Sequence, residues 1–315
     1  MTRTVVVTGA TSGIGRAAAR AFAERGDRLV LAARSPVDLA AVCDECRAAG
    51  AQVLQVPTDV TADGALAALA DATLDRFGSL DVWVHTAAVM AYGRFEETPE
   101  RVFEQVVRTD LLAAAAVARV ALRRFRADGG GTLILTGSVL GHITAPYMSG
   151  YVASKWGLQG LTRTLQQEAR ETPGVHVCIV NPGSVDTPVY QRAANYLGLI
   201  GRPPPPVTTP ERVARAIVDC ADKPRREVSV GRVNTVMRVG FTVFPGVYDA
   251  LVGPLMRLLG LTDRPVAPHD GVVFAPDPTA AASVRGGWLP DLGRVARAVG
   301  ELPGPVAAAL RRRLR

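Results

Sequence analysis

The chain has 315 residues, 48% hydrophobic and 21% charged, enough material for a large packed core, which excludes wholesale disorder; no G-X-Y or heptad period runs through it, which excludes fibres. The net charge of +7 sits late: residues 1–230 carry 25 basic and 23 acidic side chains, residues 231–315 carry 11 and 6. Aromatics are 5% and none interleaves with the terminal arginines Arg311, Arg312, Arg313 and Arg315, so no nucleic-acid partner is expected.

The first residues pass straight into Val5-Val6-Val7, without a leader-like pattern. No apolar run reaches the roughly 20 residues of a membrane span, so the expectation is a cytoplasmic protein. Apolar runs at Thr4–Thr8, Leu29–Ala33, Gln52–Val56, Val82–His85, Thr132–Thr136 and Val175–Val180 read as buried strands. Helical periodicity fills about 13–26, 37–49, 62–77, 99–126 and 151–171 between them. This alternation predicts an α/β fold, a doubly wound parallel sheet of Rossmann-like type with helices on both faces. A helix near Glu211–Ala221 and a strand near Glu227–Val230 close a domain spanning 1–235. The Gly- and Pro-rich remainder, 236–315, reads as a C-terminal extension.

The four cysteines are too few for a disulfide scaffold, and Cys43-Asp44-Glu45-Cys46 places acids between its thiols, which opposes a redox pair. The four histidines show no metal-ligand spacing, so no metal is expected. Only Lys155 and Lys223 among the 36 basic residues are lysine, which draws attention to both.

The first strand runs into Thr8-Gly9-Ala10-Thr11-Ser12-Gly13-Ile14-Gly15 and then a helix. Glycines at this spacing allow a tight turn and close backbone approach to phosphate. Free N–H groups and the helix dipole favour a pyrophosphate there. Gly9, Ser12, Gly13, Ile14 and Gly15 are therefore candidate dinucleotide-binding residues. Further on, Tyr151-Val152-Ala153-Ser154-Lys155 opens a helix, with Tyr151 and Lys155 one turn apart on one face. A nearby ammonium stabilises phenolate and would lower the tyrosine pKa. Ser138, just past the fifth strand, faces the same end of the sheet.

T-G-x-x-x-G-x-G followed by this Ser, Tyr and Lys resembles the short-chain dehydrogenase/reductase family, over about residues 3–232. The resemblance implies an NAD(P)-dependent oxidoreductase in which Ser138 steadies the substrate oxygen and Tyr151 exchanges a proton with it. Lys155 would lower the Tyr151 pKa and bind the nicotinamide ribose. It also implies adenine contact by Asp59, further cofactor contacts by Val60 and Ala87, and a carboxamide site in Pro182, Gly183, Val185 and Thr187. The second strand ends in Arg34 where NAD sites place a carboxylate. An arginine pairs with a 2′-phosphate, so NADP is expected, with NAD as the alternative. The chain departs from the family at His85-Thr86-Ala87-Ala88, which stands for N-N-A-G, and at Asp110, which stands for the catalytic asparagine. A carboxylate near Lys155 would weaken the pull of the lysine on Tyr151.

The function expected is hydride transfer between NADP(H) and a secondary alcohol or ketone, a hydrophobic small molecule. The alternative weighed is a weakly active or inactive dinucleotide-binding regulator. A homo-oligomer is implied by the resemblance. In the extension, Phe244, Val247, Tyr248, Leu251, Val252, Leu255, Leu258 and Leu259 form the stripe of an amphipathic helix starting at Pro245. Docking on the body as a wall of the substrate pocket is favoured over peripheral contact with a membrane surface. His142, in the loop after Ser138, is read as an exposed loop residue, with contact to substrate as the alternative.

Overall fold

A computed structural model of the chain describes residues 2–277 and 282–288. The strands are β1 (Thr4–Thr8), β2 (Arg28–Ala33), β3 (Val53–Pro57), β4 (Val82–His85), β5 (Ala91–Tyr92), β6 (Gly131–Thr136), β7 (Val175–Pro182), β8 (Ala194–Asn195), β9 (Leu199–Gly201), β10 (Glu227–Val230) and β11 (Leu261–Pro265). The helices are α1 (Gly13–Ala23), α2 (Pro36–Ala48), α3 (Ala65–Phe77), α4 (Glu100–Val107), α5 (Ala113–Asp128), α6 (Ser149–Glu168), α7 (Pro210–Asp222), α8 (Asn234–Val243) and α9 (Pro245–Leu259). Seven strands make one parallel sheet in the order β10-β7-β6-β4-β1-β2-β3.

The apolar strand runs are continuous because both faces of the sheet are covered. Successive side chains point to opposite faces. Val5, Val7, Leu29 and Leu31 thus pack with Phe22 of α1, Leu39 of α2 and Ile217 of α7. Val6, Val30, Trp83 and Leu133 pack on the other side with Leu69 of α3, Ala114 of α5 and Leu158 of α6. Local signals set the helix starts. Ser35 Oγ accepts from the Asp38 N–H at the head of α2, and Thr209 caps α7 with Pro210 in its first turn.

The chain order reverses between β1 and β4, so their carboxyl ends open a crevice where open α/β sheets bind ligands. Two glycines make the crevice. Gly9 has φ +83°, and a Cβ there would run into the backbone of Ala87. A Cβ on Gly15 would collide with the Gly9 carbonyl and with Thr86 Oγ1.

One helix expected over 99–126 is broken. Between α4 and α5, Arg108–Leu112 forms a π-helical turn, the wider coil that recurs at functional sites. The extension is knitted to the body: β11 pairs antiparallel with β9, and Asn195 bridges to His269. Helix α9 starts at Pro245 as expected and contains Pro254, whereas α8 breaks no residue pattern visible beforehand. Tyr248 Oη donates to the Thr144 carbonyl at 2.7 Å, and its ring meets Phe241, which meets Trp156 of α6. The tip between the two helices stays exposed at Val243, Phe244 and Val247. No helix among the described residues is long and apolar enough to cross a membrane. The expectation for the arginine-rich terminus lies outside the described residues.

Because Gly15 abuts backbone, which cannot rotate away, Gly15→Ala should destabilise the fold by about 1–3 kcal/mol, read as a lowered midpoint in denaturant unfolding.

Candidate active site

Every cofactor-binding residue expected from the sequence, together with Ser138, Tyr151 and Lys155, borders one cavity of about 850 Å³. The β-ends deliver them. Gly9–Gly15 link β1 to α1, Arg34 follows β2, Asp59 and Val60 follow β3, Ala87 follows β4, Ser138 follows β6 and the Pro182–Thr187 segment follows β7. Tyr151 and Lys155 come from the first turns of α6, which packs over the same strand ends.

Ser138 caps a short 3-10 turn: its Oγ accepts from the Leu140 N–H at 3.1 Å. That bond leaves its hydroxyl proton for Tyr151, and the resulting hydrogen bond favours the phenolate. Lys155 Nζ donates to the Thr136 carbonyl at 3.2 Å and lies 5.3 Å from the centre of the Tyr151 ring. Asp110 does not border the cavity. It is held behind Lys155 by the π turn, with Oδ2 3.8 Å from Nζ and Oδ1 accepting from the Val89 N–H at 2.8 Å.

Tyr151 is pushed well above the usual tyrosine range, first by burial and then by the Asp110 charge. Ser138 supplies the opposing pull. Burial lowers the Lys155 pKa despite that carboxylate, and burial raises Asp110 to about 6 despite Lys155.

His85, the replacement in β4, is fully enclosed and held neutral, its pKa pushed down to about 3 by burial and then by Lys155. Its Nδ1 lies 2.9 Å from Thr8 Oγ1. Thr86 uses its hydroxyl structurally, donating to the Thr8 carbonyl at 2.8 Å and so bracing the glycine turn.

Other expectations change. Arg34 does not stand open beside the ribose position: its Nη2 donates to the Val272 carbonyl at 2.7 Å and Nη1 to that of Val273 at 3.4 Å. Asp59 Oδ1 accepts from the Thr61 N–H at 2.9 Å and Thr61 Oγ1 at 2.7 Å, which fixes the loop after β3. His142 is not exposed. It joins Glu227 at 3.0 Å and Asn181 at 3.2 Å, away from the cavity lining. Cys43 and Cys46 are buried thiols pushed up to about 11 and about 12, mainly by burial rather than by the acids between them. Tyr92 and Tyr190 were missed. Tyr92 is buried and Tyr190 half-buried, and both border the cavity; Tyr190 raises the Tyr151 pKa and Tyr151 raises that of Tyr92. Tyr92 stands in the two-residue strand β5 and Tyr190 in an irregular segment, both too short for a periodicity that would mark a wall.

Comparison with known proteins gives the setting. A model of the family described as short chain dehydrogenase matches residues 3–196. The Bacillus subtilis oxidoreductase YxnA is 30% identical over 272 residues, covering 84% of this chain and 76% of that protein. A short-chain dehydrogenase/reductase from Burkholderia phymatum, solved in complex with NAD, superposes with a TM-score of 0.70 at 27% identity, covering 78% of this chain and 95% of that one. An alcohol dehydrogenase from Thermococcus sibiricus, complexed with 5-hydroxy-NADP, gives a TM-score of 0.63 at 29% identity, covering 73% and 95%.

Two outcomes follow for Asp110→Asn. The Asp110 pKa is raised on folding to about 6, so its contribution to stability is full below the ordinary carboxylate value near 3.8 and is lost as pH rises through about 6. Asn should flatten the stability profile in that window, measured by denaturant unfolding across pH. Removing the charge also makes Tyr151 more acidic, so the pH limb of alcohol oxidation should move to lower pH. An unmoved limb would contradict the coupling.

Proposed function

Because the chain belongs to the short-chain dehydrogenase/reductase family, we propose that it interconverts a ketone and a secondary alcohol with NADP(H), acting on bulky apolar substrates. The observation that carries this reading is the continuity of one cavity. It runs from the glycine turn past Ser138 and Tyr151 to a wall made by α8 and α9, including Met237, Tyr248, Leu251 and Leu255. A pocket with apolar walls and a few convergent polar groups is what a hydrophobic ligand requires.

The residues suit a nicotinamide dinucleotide. Gly9, Gly13 and Gly15 leave a cradle that side chains would fill, and the α1 N-terminus presents N–H donors to an anion. Arg34 borders the cavity at the end of β2, and its guanidinium would meet a 2′-phosphate, which is the ground for NADP over NAD. When bound, the dinucleotide supplies or accepts the hydride. The protein handles the proton. In reduction, Tyr151 Oη gives its proton to the carbonyl oxygen, and in oxidation it takes one from the alcohol. Ser138, oriented by the Leu140 N–H, steadies charge on that oxygen. Lys155 would hold the ribose hydroxyls, as the family resemblance implies. A homo-oligomer is proposed from the resemblance alone.

Tyr151→Phe should leave dinucleotide affinity unchanged and lower kcat about 10²–10⁴-fold; normal turnover would refute the mechanism. For cofactor choice, Arg34→Glu should weaken NADP(H) far more than NAD(H), as read by titration calorimetry. For the substrate class, Leu251→Asn should lower kcat/KM for bulky apolar ketones about tenfold or more, while small ketones are little affected. Equal losses for both would refute the apolar wall.

A further inference from the structure

The described stretches 270–277 and 282–288 meet the body at three places along the groove assigned to the dinucleotide. At the first, the Val272 and Val273 carbonyls take two donors of Arg34. At the second, the Ser283 carbonyl accepts from the Gly13 N–H at 3.0 Å, at the very start of α1, and Arg16 in the same turn donates to the Ala282 carbonyl. At the third, Asp186 Oδ1 accepts from the Gly286 N–H at 3.0 Å and the Trp288 N–H at 2.9 Å, and Trp288 Nε1 donates to the Thr187 carbonyl at 3.2 Å. These places are where the 2′-phosphate, the pyrophosphate and the carboxamide are expected.

The chemistry of the donors explains the match. A guanidinium and a helix N-terminal N–H have hydrogens to give and no lone pair to offer, so each requires an acceptor of negative character. A backbone carbonyl satisfies that need weakly and a phosphate oxygen strongly. We propose that the segment 282–288 is a built-in competitor of the dinucleotide, its carbonyls standing at the α1 N-terminus for phosphate oxygens that displace them on binding.

Burial divides the strap into a fixed and a movable part. Val273 is fully buried among Val89, Val102, Val106 and Ala194, so the contact with Arg34 is anchored. None of residues 282–288 is buried, and the Arg285–Glu211 ion pair at 3.2 Å is exposed and weak. Displacing 282–288 gives up the packing of Val284 on the core and the edge-on contact of Trp288 with Tyr190, but no fully buried side chain. Because strap and dinucleotide share donors, the affinity observed is the intrinsic affinity reduced by the fraction of open strap.

The proposal rests on the dinucleotide reading above, and the experiment separates the two. NADP and NAD are titrated calorimetrically into the full chain, into Trp288→Ala and into Arg285→Ala, and hydrogen exchange of peptides covering 282–288 is followed with and without dinucleotide. Trp288→Ala should bind roughly tenfold tighter, since it removes the indole hydrogen bond to Thr187 and the edge-on contact with Tyr190 that hold the strap closed. Arg285→Ala, on an exposed side chain, should act in the same direction and more weakly. Exchange in 282–288 should rise when dinucleotide binds. Unchanged affinity in both variants, or exchange that falls because the strap clamps down, overturns the competitor and leaves the functional reading standing. No binding by any of the three chains overturns both.

Discussion

The contact between the ends of β1 and β4 is the constraint on which the rest of the molecule depends. Gly9 passes so close to Ala87, and Gly15 to the Gly9 carbonyl, that no side chain fits in either place. Thr86 ties the two strand ends with its hydroxyl, and Thr8 gathers Trp83, Val84 and His85 around one oxygen. That junction sets where α1 starts, and so where its N–H groups point. It also sets the spacing between the crevice and α6, which carries Tyr151 and Lys155.

Behind the crevice lies a second device, built on burial. A lysine, an aspartate and a neutral histidine are packed in the same region, each shifted in the direction that weakens its charge. Burying charges costs more than their attraction returns unless they pair closely, and 3.8 Å is a loose pair. The π turn makes this arrangement by widening one coil of the α4–α5 helix, which turns Asp110 inward while α5 continues its apolar face toward the sheet. Burial and the Asp110 charge thereby oppose ionisation of Tyr151, and Ser138 favours it.

Much of this was legible in the residues. Buried parallel strands write themselves as apolar runs, so β1, β4 and β10 matched residue for residue and the others within two positions. The glycine turn and the Ser138, Tyr151 and Lys155 spacing were visible because their geometry is local. What stayed hidden depends on distant chain. Nothing in Arg34 itself says that Val272 and Val273 will occupy it from 238 and 239 residues away. His142 read as exposed because its partners Glu227 and Asn181 lie on later strands. Helix α8 and strands β9 and β11 lack periodicity long enough to detect, and the π turn has no composition of its own.

Trp288 gives the groove an optical property. The chain has three tryptophans: Trp83 lies sealed in the core, Trp156 is 42% exposed on α6, and Trp288 rests edge-on against Tyr190 with ring centres 6.0 Å apart. Its indole N–H is bonded to Thr187, so its surroundings are partly apolar and partly polar only while that contact holds. Trp83 stays in the core and Trp156 packs on Phe241, so their emission forms the background. The wavelength of the Trp288 indole follows its bond to Thr187, without any dye or label, in the unmodified protein.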